Sequence, residues 1–125
     1  MTNTEFKEGL EKRTLDFSVR LLSLLGALPN KSVFWLIVNQ LGRSGTSIGA
    51  NYREANRAES KADFIHKIGI AEKESSETVY WLTVLSKFQA FPSTLTTENT
   101  ALQKEASELL SLFSAINCSA KKNRP

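Results

Sequence analysis

Two residue types that build most reactive centres are nearly missing here: among 125 residues there is one cysteine, Cys118, and one histidine, His66. A single thiol excludes an internal disulfide and a zinc cluster built on cysteines. A chain without a disulfide framework fits a reducing compartment. A cytoplasmic location is the expectation. Asn-Gly and Asp-Gly pairs are absent, and no stretch sustains the period-two alternation of β-branched residues that marks strands, so a sheet is not expected. Apolar runs such as Val33 to Val38 fall far short of the roughly 20 residues a membrane helix needs. Residues 1–20 interleave Glu5, Lys7, Glu8, Glu11, Lys12 and Arg13, the opposite of a signal peptide's basic start and apolar middle. Neither export nor membrane insertion is expected.

An excess of positive charge is also small and local. The chain carries 16 basic and 13 acidic side chains, and the excess of three equals Lys121, Lys122 and Arg124 near the C-terminus. The rest is neutral, so attraction to phosphates rests on this segment or on uneven placement elsewhere. The expected organisation is one domain over residues 1–119, followed by a basic, disordered tail at 120–125.

What the sequence does contain is helical rhythm. With 41% hydrophobic and 23% charged residues the composition is that of a folding chain. Leu10, Thr14, Phe17, Leu21, Leu24 and Leu28 recur at spacings of three and four, which stacks them along one helix face. Phe34, Ile37, Leu41, Ser44, Ile48 and Ala55 repeat the pattern with a small or polar middle. Phe64, Ile68, Ala71, Ser75, Thr78, Leu82 and Leu85 form a third stripe, and Leu102, Ala106, Leu109, Phe113 and Ile116 a fourth. Breaks at Pro29-Asn30, Ala58-Glu59-Ser60 and Phe91-Pro92 separate the segments. Helices are therefore predicted near residues 5–28, 31–57, 60–90 and 97–118. Short connections force neighbours to reverse direction, giving an all-α, antiparallel up-down four-helix bundle. Asn30, Ser60 with Asp63, and Thr96 or Thr97 are the predicted caps.

The second helix carries Gly42, Gly45 and Gly49, each costing about 1 kcal/mol in a helix interior, so their presence needs a compensating reason. Close approach of another backbone supplies one. A phosphate loop does not fit, because no Gly-Lys-Ser/Thr ending is present and the segment follows a helical pattern.

The run from Leu41 through Ala55, continued by Ser60-Lys61-Ala62-Asp63-Phe64 and by Glu72, Glu74, Glu77, Tyr80, Trp81 and Leu82, resembles one known family. It is the family of four-helix-bundle proteins encoded in intervening sequences of large-subunit ribosomal RNA genes, sometimes labelled ribosomal proteins. It is related to the accessory protein of diversity-generating retroelements, which works with a reverse transcriptase and its RNA. The resemblance spans roughly residues 10–118. It implies a four-helix protomer that assembles into a ring of five, with no activity assigned for most members.

No catalytic or cofactor site emerges. Asp63 and His66 have the spacing of half a di-metal motif, but one histidine cannot complete it, and His66 lies off the apolar stripe. No metal is expected. Cys118 sits near the end of the last helix without a neighbouring base. Glu74 and Glu77 share a face where like charges need cations, and Arg43 and Arg53 lie on the preceding helix. With Asn51 and Glu54, these six residues are the predicted polar network. Ile70, Trp81, Val84 and Phe88 form a second apolar face on the third helix, and with Gly45 and Gly49 they are the predicted surface for self-association. Arg43, Arg53, Arg57, Lys121, Lys122 and Arg124 are the candidate nucleic-acid contacts. The sequence thus points to a non-enzymatic homo-oligomeric scaffold, expected to be a pentamer, that binds RNA, DNA or a nucleic-acid enzyme. The alternative is a protein-binding module that uses the apolar face of the third helix without nucleic acid.

Overall fold

The computed structural model describes residues 1–123. Its elements are α1 (Asn3–Gly26), α2 (Ser32–Ala55), α3 (Lys61–Lys87), a 3-10 turn (Ser93–Leu95) and α4 (Thr96–Lys122), with no strand among the described residues. Successive helices run antiparallel. α2 packs extensively on α3 and α3 on α4, whereas α1 leans on α2 and touches α4 more lightly.

The local sequence explains two of the four helix starts. Thr2 opens α1 by accepting from the Glu5 amide at 3.0 Å, and Ser60 opens α3 by accepting from the Asp63 amide at 3.0 Å. The other two predicted caps are not made. Lys31 stands at the start of α2 without a side-chain cap, and Asn30 Oδ1 instead accepts from Trp35 Nε1 at 2.9 Å. Before α4 the turn Ser93–Leu95 winds the chain directly into the helix, so neither Thr96 nor Thr97 caps it.

The four stripes meet in one core, where Leu21, Leu41, Ile48, Ile68, Leu82, Leu102 and Phe113 are fully buried. Phe64 and Ile116, placed in that core by the sequence, are partly buried at its edge. Two of its polar members pair with each other: the hydroxyls of Ser44 and Thr78 share a 3.0 Å hydrogen bond across α2 and α3, and Thr78 Oγ1 lies 2.7 Å from the Glu74 carbonyl oxygen, which accepts from it. Burying those hydroxyls unpaired would cost about 1–3 kcal/mol each.

One boundary needs correction. The expected tail at 120–125 begins too early, because α4 continues to Lys122 and Ala120 is buried. Ala120 extends the stripe of Phe113 and Ile116 by another turn, so the helix is held by packing past residue 118. Arg124 lies outside the described residues.

Candidate functional site

Four helix ends meet where α1 and α3 begin and α2 and α4 finish. This geometry gathers basic residues that are scattered in sequence. Arg53 leaves the last turn of α2 and Arg57 the turn just after it, and Lys121 and Lys122 leave the last turn of α4; all four are exposed. None of them forms an ion pair among the described residues. Arg57 only donates to the Arg53 carbonyl, at 3.2 Å.

Arg43, predicted for the same role, is committed elsewhere. It stands mid-helix on α2, donating to both oxygens of Glu77 at 2.8 Å and, over 3.3–3.4 Å, to those of Glu74 on α3. The Glu77 carboxyl is held below its ordinary range chiefly by this hydrogen bonding from Arg43, and Arg43 is raised chiefly by Glu77. Glu74 is 8% exposed. A guanidinium occupied by two carboxylates has little left for a phosphate.

Of the predicted polar network, then, Arg43, Glu74 and Glu77 come together. Glu54 reaches Lys67 on α3 at 3.7 Å. Asn51 donates to the Ser47 carbonyl of its own helix at 2.8 Å, because amide and carbonyl lie one turn apart on the same side. Arg53 points to solvent and joins neither.

A second ionic system went unread in the sequence. Arg13 grips Glu105 through Nε and NH2 at 2.6 and 2.7 Å, and Arg20 holds Glu98 at 2.8 Å. The arginines are one heptad apart on α1 and the glutamates one heptad apart on α4, in the antiparallel register that lets both pairs close. That spacing was the available signal. Both guanidiniums are raised above their ordinary value, chiefly by these hydrogen bonds.

The predicted self-association residues are placed differently from expectation. Gly45 and Gly49 face inward: a Cβ at Gly45 would overlap the Leu21 side chain, and one at Gly49 would stand 3.0 Å from Thr14 Oγ1. Both glycines allow α1 to approach α2 within one protomer; Gly45 is buried by that approach, whereas Gly49 remains partly exposed. Ile70 is partly buried, while Trp81 and Val84 are partly buried and pack against the core edge. Phe88 is 37% exposed and sets its ring edge against Phe34 at 5.7 Å.

The apolar surface left in water is chiefly on α1 and α2. Leu15, Val19 and Leu22 are each more than half exposed and spaced by four and three, so they share one side of α1. Trp35 and Leu36 are similarly exposed at the start of α2. Beside Leu15 runs a groove of about 420 Å³ lined by Ser18, Thr46, Gly49, Ala50 and Arg53. No helix is long and apolar enough to cross a membrane, and no group of three or more His, Cys, Asp or Glu side chains is placed to hold a metal ion, both among the described residues.

Comparison with known proteins places this geometry. The profile of the 23S rRNA-intervening sequence proteins matches residues 10–114. The chain belongs to the 23S rRNA-intervening sequence protein family. It is also similar to a protein of unknown function from the S23 ribosomal protein family of Bacteroides thetaiotaomicron. The crystal structure of that protein aligns with a TM-score of 0.75 at 37% identity, covering 86% of this chain and 96% of that one. No curated protein matches. The matched segment of this intervening-sequence protein takes in the Arg43–Glu74–Glu77 cluster and the Arg13–Glu105 pair, whereas Lys121 and Lys122 lie beyond it.

Proposed function

We propose that this member of the intervening-sequence family is a non-enzymatic scaffold that assembles with copies of itself and binds RNA through the basic end of its bundle. The observation that carries the reading is the convergence of exposed Arg53, Arg57, Lys121 and Lys122 at one end, without carboxylate partners among the described residues. Four cations on one protomer make a weak phosphate site. A ring of five multiplies them, and polyelectrolyte affinity rises steeply with the number of phosphates neutralised together. The exposed ridge of Leu15, Val19 and Leu22, beside a groove floored by small residues, supports self-association: a ridge on one copy has a groove to enter on the next. The non-enzymatic reading is supported by the isolation of His66 and Cys118, both exposed and on different helices.

Fluorescence anisotropy with labelled single-stranded RNA tests the binding. Affinity should fall steeply with salt and be lost in Arg57→Glu/Lys122→Glu, whose residues lie outside the groove. An absence of binding at low salt, or binding indifferent to that variant, would overturn the RNA reading. The same α1–α2 groove favours a second reading, docking of an apolar helix from another protein without nucleic acid. In that case the protein stays monomeric and ignores RNA.

A further inference from the structure

We infer that the end of the bundle where α1 begins also holds a pocket for an amphipathic carboxylate, a single anionic head on an apolar body. The cavity lies among four helix ends and has a volume of about 410 Å³, within the ordinary range of small-molecule sites. Phe6, Tyr52, Phe64, Leu112, Ile116 and Ala120 make its apolar wall. Tyr52 and Ala120 are buried, so the floor is continuous with the core, whereas Phe6 stands at the mouth, 38% exposed.

Charge selects the ligand class. Lys7 and Lys61 are the only charged side chains among the described lining residues. Neither lysine forms an ion pair among the described residues. Lys61 Nζ stands 5.9 Å from the centre of the Phe64 ring, which places a cation directly above apolar wall. A carboxylate paired there would lay its attached body across the ring.

The interior fixes the orientation. Asn56 donates through Nδ2 to Glu11 Oε2 at 2.9 Å, and its Oδ1 is buried without a donor. An acceptor at that depth repels an anion. The head group therefore stays at the lysine rim and the apolar body fills the floor beside Tyr52, whose phenol is raised above its ordinary value chiefly by burial.

Titration of the full chain with decanoate, followed by amide NMR below the micelle concentration, tests this site. Saturable shifts are expected at Tyr52, Phe64 and Ile116, with binding weakened about tenfold or more for decanol and decylamine. Lys7→Glu/Lys61→Glu should weaken decanoate to a similar degree, and Lys87→Glu/Lys104→Glu, a charge-matched control away from the pocket, should not. Unsaturable shifts, shifts spread over other faces, equal binding of decanol, or indifference to the Lys7/Lys61 reversal would each overturn the assignment. Because neither lysine pair is part of the proposed RNA contact, this outcome is independent of RNA binding.

Discussion

The side chain of Leu21 on α1 occupies the space in which a methyl group at Gly45 on α2 would stand. Leu21 is fully buried and cannot swing aside into solvent. Gly45→Ala should therefore destabilise the fold by about 1–3 kcal/mol, even though alanine is the better helix former. Gly69→Ala, where a Cβ meets nothing within 4 Å, should instead stabilise it by about 0.5–1 kcal/mol. Denaturant melts of the two variants should move in opposite directions, and equal shifts would remove the close-approach explanation for the α2 glycines.

That contact marks how far the sequence could be read. The stripes from Leu10 to Leu28 and from Leu102 to Phe113 were legible because helix period and burial coincide there. The face of a glycine was not, since it has no side chain whose polarity reveals the side it turns. Gly45 consequently reads as outward-facing in the sequence, although it is buried. Trp81 misleads for the opposite reason: a large apolar residue off the main stripe reads as exposed, although it is partly buried against the core edge. Leu15, Val19 and Leu22, which do face water, carry the same spacing signature as a core stripe. Two apolar stripes on one helix can be ranked only once the neighbours are placed.

The arginine–glutamate pairs between α1 and α4 carry the lighter of the bundle's contacts. A double-mutant cycle on Arg13 and Glu105 should give a coupling of about 0.5–1 kcal/mol, because the pair is bidentate yet partly solvated. A coupling indistinguishable from zero would mean that these pairs set register without adding stability.

Glu77 provides a pH readout. Its folded pKa lies below the ordinary value because Arg43 hydrogen-bonds the carboxylate. The stability it contributes is present above the ordinary carboxylate pKa and is lost as pH falls through the depressed one. Carboxyl NMR titration should find Glu77 shifted to acid in the parent and returned toward its ordinary value in Arg43→Gln. An unchanged titration would sever the pair.

Core and surface apolar residues should separate cleanly. Leu82→Ala, at a fully buried site, should cost about 2–5 kcal/mol. Leu22→Lys, at a position 52% exposed, should leave melting of the protomer nearly unchanged while reducing the assembled mass. Trp81→Ala should do the reverse of Leu22→Lys, because its ring packs against the core edge. A Leu22→Lys variant with parental mass would place the interface elsewhere.

Light scattering coupled to size exclusion, at micromolar protein, bears most directly on the scaffold itself. Assembly into a ring gives a mass five times that of the 13.9 kDa protomer, unchanged on dilution through that range. A stable particle of 13.9 kDa would contradict self-association, and with it the shared basic surface on which the proposed RNA binding rests.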